Sequence, residues 1–269
     1  DEDSGIWKPI DVSGLTFGDE GFYLDYENSG ALGTDVSGES NNFTVNNLTA
    51  IDQSTDTCTN NFCTLNPLIN IEGSYTLSEG NTIFTATGAN DATFGTIAVS
   101  SGKWYFEAEF DSIKEACYAG FADVELINNI GTGHPISSFI GMYRDDYTIL
   151  FGASQTTYTS VSNGDIFGFA IDLDASSGSK TVIIQKNGST IDTITIPTAN
   201  ENNGFIPVVG DTTGGNPSGI LKCNFGGSPP VAPSSAVADA NGYGNFEFSP
   251  TIGGVDYFAI CTKNLAEYG

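Results

Sequence analysis

The stretch Tyr143-Arg144-Asp145-Asp146-Tyr147 gathers the side chains best suited to grip a polar ligand, placing the chain's only arginine between two tyrosines and beside two aspartates. Tyrosine faces stack on sugar rings, and guanidinium and carboxylate groups make paired polar contacts. Tyr143, Arg144, Asp145, Asp146 and Tyr147 therefore read as the rim of a glycan or protein contact, with Tyr158 on the same rim. The plainer reading of the same residues is a β-turn closed by a local ion pair. Trp104 reads as core, and Trp7 as a contact to a neighbouring domain or subunit.

Other chemistry finds less support. A Ser/His/Asp triad would have to use His134, the single histidine, and it sits in Gly131-Thr132-Gly133-His134-Pro135 with no nucleophile elbow nearby. The many carboxylates allow pairs of the glycosidase kind, but their abundance makes no pair distinctive. No phosphate-binding or dinucleotide fingerprint is present. Asp172-Leu173-Asp174-Ala175-Ser176-Ser177-Gly178 spaces oxygen donors as a calcium loop does, without the closing glutamate; Asp35-Val36-Ser37-Gly38-Glu39-Ser40-Asn41 is comparable. Both read more simply as turns, so no metal, no cofactor and no enzyme activity is expected. The five cysteines, Cys58, Cys63, Cys117, Cys223 and Cys261, form no CxxC pair and no even framework, and are expected to be mostly buried, reduced thiols.

Composition limits the partners. Eight Lys and Arg face 33 Asp and Glu, a formal net charge of -25. Such a surface repels phosphate backbones and anionic lipid, which argues against nucleic acid and membrane as partners. It suits solubility, or attraction of cations and basic partners. No apolar run is long enough for a membrane-spanning helix, no secretory leader is read, and Asp1 to Ser4 reads as a processed start or fragment boundary. The sequons at Asn42, Asn47 and Asn187 matter only in a secretory pathway.

The 33 glycines, with many Ser, Thr and Asn, signal short strands and frequent turns. Residues 1–73 read as an extended arm with strands at Gly21–Tyr26 and Asn42–Val45. Residues 74–230 are a run of strand signals. Trp104, Phe106, Ala108 and Phe110 face opposite to Tyr105. Strands follow at Ala116–Phe121, Ser138–Tyr143, Asp165–Asp172, Lys180–Lys186, Ser189–Ile196, Phe205–Val209 and Ile220–Phe225, and Asn187-Gly188 marks a hairpin. Residues 231–269 begin with a stiff proline-rich connector and carry strands at Asn245–Phe248 and Tyr257–Cys261. Without helices between strands, a parallel sheet is excluded. The class is all-β, an antiparallel two-sheet β-sandwich with extended N- and C-terminal arms.

The central region resembles the SPRY domain, a concanavalin-like jelly roll also found in B30.2 modules. The resemblance is carried by Ser101-Gly102-Lys103-Trp104-Tyr105-Phe106-Glu107-Ala108-Glu109, by Gly164-Asp165-Ile166-Phe167-Gly168-Phe169-Ala170-Ile171-Asp172, by Lys186-Asn187-Gly188, and by Phe205-Ile206-Pro207-Val208-Val209 with Asn224-Phe225-Gly226. It implies a binding scaffold, while the loops with which the family reads peptides are not recognisable. The flanks, among them Gly21–Tyr26, Leu32–Gly38, Phe43–Asn47, Asn60–Pro67, Asn241–Phe246 and Ala259–Leu265, resemble segments of marine tailed-phage virion proteins. That implies a virion structural protein, part of a tail fibre or surface appendage, adhering to other virion proteins, to copies of itself, or to a host-surface glycan or protein. The alternatives are a secreted cellular carbohydrate-binding or adhesion domain, and a polysaccharide-cleaving enzyme on the same architecture.

Overall fold

Alternation along Trp104–Phe110 sets the architecture, because it gives one strand an apolar face of Trp104, Phe106, Ala108 and Phe110 and an opposite face of Tyr105, Glu107 and Glu109. The structure, a computed structural model, describes residues 12, 14–54, 56–57, 59–69, 74–88, 90–112, 117–127, 135–143, 147–157, 160–212 and 219–269. The strands are β1 (Tyr75–Ser78), β2 (Ile83–Ala86), β3 (Asp91–Phe94), β4 (Lys103–Ser112), β5 (Cys117–Asp123), β6 (Phe139–Tyr143), β7 (Tyr147–Leu150), β8 (Ala153–Thr157), β9 (Asp165–Asp172), β10 (Thr181–Lys186), β11 (Ser189–Thr195), β12 (Phe205–Asp211) and β13 (Ile220–Asn224). After these come β14 (Thr251–Ile252), β15 (Val255–Asp256), β16 (Phe258–Ala259) and a closing helix, Thr262–Tyr268. One sheet runs β1-β2-β13-β4-β9-β10-β11 and the other β3-β12-β5-β6-β7-β8, each antiparallel throughout these paths. The expected antiparallel two-sheet sandwich is what the chain forms.

Trp104, Phe106, Ala108 and Phe110 of β4 meet Cys117, Ala119 and Phe121 of β5 between the sheets. The Phe106 ring lies 5.2 Å from Phe121 edge-on, and stacks on Phe169 at 5.1 Å and Phe225 at 5.4 Å. Removing one such ring from water contributes about 2–3 kcal/mol. Trp104 is fully buried, as expected, with its indole N–H donated to the Ser101 carbonyl. The β10–β11 hairpin turns through Asn187 (φ 48°) and Gly188 (φ 77°), the left-handed pair that a two-residue turn of this hand requires. Asn187 also ties the hairpin to β9, donating to Asp165 Oδ1 and accepting from the Ile166 N–H.

The other face of β4 is covered by the C-terminal segment. β13 pairs with β4 no further than Asn224 opposite Glu107. From there β16 takes the vacant edge in parallel, Phe258 opposite Trp104 and Ala259 opposite Tyr105. Tyr105 packs edge-on to Phe246 at 5.1 Å in a layer with Phe62, Ile252, Tyr257 and Cys261. Glu107, 2% exposed, lies under the same layer. Its Oε1 accepts from Tyr105 Oη (3.1 Å) and the Phe248 N–H (2.8 Å); its Oε2 accepts from Asn224 Nδ2 (3.1 Å) and the Glu247 N–H (2.9 Å). A second buried carboxylate, Asp239, accepts from the Asn241, Tyr243 and Ala259 N–H groups and from Asn264 Nδ2. The segment after Pro230 is thus fastened to β4 through Glu107 and folded onto itself around Asp239, both acids accepting from backbone N–H groups.

Residues 60–65 are stitched in beside it. Cys63 and Leu65 enter the main core, Phe62 pairs with Cys261, the Thr262 N–H reaches the Asn61 carbonyl (2.9 Å) and the Cys63 N–H the Ile260 carbonyl (2.8 Å). Several expectations differ from what is found. Gly21–Tyr26 and Asn42–Val45 are extended but form no strand, because they meet their neighbours through single bonds, Val36 N–H to Tyr23 and Phe43 N–H to Gly33, and not through a ladder. Of Asn245–Phe248 only Phe246 bridges, to Val237, and Tyr257–Cys261 contracts to β16. The helix Thr262–Tyr268 was not expected; Leu265 and Tyr268 fix it against the core, and Tyr268 stacks on Phe258 at 4.2 Å. The parallel β16–β4 pair is reached by a long wrap and needs no crossover helix.

Burial pushes the Glu107 carboxyl up to about 7 from its ordinary 4.5, against the opposing pull of its four hydrogen bonds. Between those values the native state binds a proton that the unfolded chain does not, so its part of the stability is gained as pH falls and lost as pH rises. Thermal unfolding should occur at higher temperature at about pH 5.5 than at about pH 8, with a smaller difference in Glu107→Gln. Glu107→Ala, which leaves two backbone N–H groups unpaired, should lower stability by about 3 kcal/mol in urea titrations.

Candidate functional site

The arm between Gly14 and Ser54 is folded by polar groups and turns its apolar ones outward. Asp35, 7% exposed, is its hub. Its Oδ1 accepts from the Tyr23 N–H (2.8 Å) and Ser37 N–H (2.9 Å); its Oδ2 accepts from the Ser37 hydroxyl and the Asn41 N–H (each 2.8 Å). Burial would raise this carboxyl, but those bonds outweigh it and hold the group well below the usual carboxylate range. Asn41 donates to the carbonyls of Asp19 and Gly21, and Asn42 accepts from the Asp35 N–H. Gln53 donates to the carbonyls of Tyr26 and Glu27. Gly33 must be glycine, since a Cβ there would strike the Phe43 carbonyl oxygen.

Held this way, the arm exposes its large side chains. Among the described residues, nine of the eleven exposed large apolar side chains fall between Leu15 and Leu68, the other two being Val231 and Val255. Phe22 (51% exposed) and Phe43 (48%) meet edge-on at 4.8 Å, and Phe17 stacks on Tyr23 at 6.2 Å. Tyr26, 51% exposed, sits at φ 57°, a conformation costly for a residue with a side chain. Beside it opens a recess of about 690 Å³ with Leu32 and Leu48 in its wall and Asp25, Glu27 and Asp52 among its lining. The arm from residue 12 to 69 contains no Lys or Arg. Water-exposed aromatic clusters of this kind mark contact surfaces more often than folding cores.

The residues singled out from sequence lie elsewhere. Tyr143 is 6% exposed, inside a cluster with Tyr118 and Phe139 on the outer face of the second sheet. Its ring stacks with Tyr118 at 6.4 Å and its hydroxyl bonds Thr212 Oγ1 at 2.6 Å, so it offers no open face for a sugar. The alternation of β6, which puts Phe139 and Tyr143 on one side, explains the burial. Arg144, Asp145, Asp146, Tyr158, His134, Trp7 and Cys58 lie outside the described residues, as does the Tyr147 side chain, although its backbone pairs with Tyr143 and Thr157.

In the two loops with calcium-like spacing the aspartates are already engaged. Asp172 accepts from the Asp174 and Ala175 N–H groups, Asp174 from the Gly102 N–H, and Lys103 lies 3.9 and 3.8 Å from the two acids; Asp35 has the donors given above. Among the described residues no three His, Cys, Asp or Glu side chains converge as a metal site would need. Cys63, Cys223 and Cys261 are buried free thiols, and burial pushes Cys63 up to about 11. Cys117 is buried with Sγ 3.4 Å from Asp211 Oδ2.

No family model and no curated protein sequence matches the chain. Among solved structures it is similar to the SPRY domain of human HERC1 (17% identity over 59% of this chain and 96% of that one, TM-score 0.46). It is also similar to stonustoxin (19%, over 60% of this chain and 27% of that one, 0.43) and to the TRIM65 PSpry domain (14%, 61% and 89%, 0.42). The sandwich itself is defined by the strand pairings.

If Asp35 is the hub of the arm, Asp35→Ala should loosen it alone. Chymotrypsin, which cuts after Phe and Tyr, should cleave near Phe22, Tyr23 and Tyr26 roughly tenfold faster, while thermal unfolding of the sandwich stays where it was.

Proposed function

We propose that the chain is a non-enzymatic attachment module of a virion surface, part of a tail fibre or similar appendage. The observation that carries this reading is the arm, a segment folded by polar bonds around Asp35 so that Phe22, Tyr23, Tyr26 and Phe43 remain available to a partner. The sandwich is the rigid mount. Its buried carboxylates serve as fasteners: Glu107 and Asp239 as above, and Asp123 accepting from the side chains of Asn200 and Asn203. The resemblance of the flanking segments to virion proteins of marine tailed phages supports the particle setting. Many copies on one particle would make weak single contacts effective, since tethered sites bind at high local concentration. Neighbouring virion proteins and host-surface glycans or proteins are the partners of this reading.

The test is immunogold electron microscopy with an antibody to the purified chain. Labelling of appendages on intact tailed particles from a lysate that contains the chain is expected. Label confined to cell debris or secreted material would sink the virion reading.

A further inference from the structure

We infer that the arm surface docks a different protein whose own contact face is apolar and rimmed with Lys or Arg, and not a second copy of this chain. The inference rests on the arm being a docking element and specifies what it accepts. Two observations combine. The first is the exposed aromatic set, Phe22, Tyr23, Tyr26 and Phe43, with the recess beside Tyr26. The second is charge: residues 12–69 carry no base, and Asp19, Glu20, Asp25, Glu27, Glu39 and Asp52 are all exposed on the same segment.

A second copy would bring the same acidic arm, or another part of a chain with net charge -25, against these carboxylates. Like charges facing each other across a contact suppress the wrong partner, whereas opposite charges steer and hold the right one. The rings add what a charged surface alone lacks. A lysine or arginine entering the recess would pass over the Tyr26 face toward Asp25 and Glu27, combining a cation–π contact with ion pairing. Tyr26 holds its place at the recess from a left-handed backbone, φ 57°, that glycine would adopt without strain.

The experiment measures binding of the full chain to three probes by calorimetry: a short amphipathic peptide alternating lysine and tryptophan, an all-lysine peptide of equal charge, and a glutamate–tryptophan peptide. The variants are Phe22→Ser/Phe43→Ser and Tyr26→Gly, the latter compatible with the local backbone, and both are checked for an unchanged chymotrypsin pattern outside the arm. The lysine–tryptophan peptide should bind at low salt, weaken as salt rises, and weaken about tenfold in each variant; the other two peptides should bind far less. Equal binding of the all-lysine peptide, untouched by the variants, would overturn the inference, since the surface would then be merely acidic. Light scattering that shows self-association abolished by Phe22→Ser/Phe43→Ser would overturn the partner assignment while leaving the arm as a docking element. If no binding and no self-association depends on the arm, both readings fall.

Discussion

A carboxylate buried under a roof of its own chain fixes where the middle of the last forty or so residues must lie. β4 alternates so strictly that Glu107 cannot turn into the core; it faces the other way, and that face is roofed over. A buried charge of this kind persists only if its lone pairs are filled. Two of the four donors come from backbone N–H groups of Glu247 and Phe248, which are therefore held at one place above the sheet. From that point the chain can reach the free edge of β4, form β16 and bring Cys261 beside Phe62. The roof follows from satisfying that side chain, while Asp239 and the contacts of Leu265 and Tyr268 hold the short parallel strand and the closing helix that come after it.

The arm inverts this arrangement. In the sandwich, aromatic rings are inside and acids are fasteners at the margin. In the arm the acid, Asp35, is inside and the rings are outside. Apart from Leu32, the large apolar residues from Leu15 to Leu48 are exposed or only partly covered, so little apolar burial holds the arm. Its shape depends on directional bonds from Asp35, Asn41, Asn42 and Gln53. Such bonds contribute modestly each and hold geometry more than they drive folding. That suits an element whose apolar surface is kept for another molecule.

Much of the sandwich was legible because its strands obey simple patterns. β9 lies between two aspartates as read, and Asn187-Gly188 placed the β10–β11 hairpin. The opposite facing of Tyr105 and Trp104 correctly separated two clusters. The arms were misread where propensity and pairing part company. Gly21–Tyr26 has the composition of a strand, yet no neighbour offers it a ladder, and strand preference without a partner does not make a sheet. The closing helix was missed because seven residues give too short a periodicity to read. Tyr143 was drawn toward a binding rim by the arginine that follows it; its place in the alternation of β6 was the better guide. The aromatic surface of the arm has a signal in the sequence: Phe22 and Tyr23 are adjacent, which denies them a common face in any strand, and no Lys or Arg occurs between Lys8 and Lys103.

The stitching of Asn61, Phe62 and Cys63 to Ile260, Cys261 and Thr262 has a mechanical meaning. The arm leaves the sandwich next to the point where the closing helix begins. A pull applied between the two would load that short seam first, and the two sheets would bear little of it. Behind the seam Cys63 and Leu65 are anchored in the core, so the arm could be drawn out on its tether only as far as that anchor while the sandwich stayed folded. The molecule is laid out as a clasp on a rigid body, with its weakest line placed where slack does least harm.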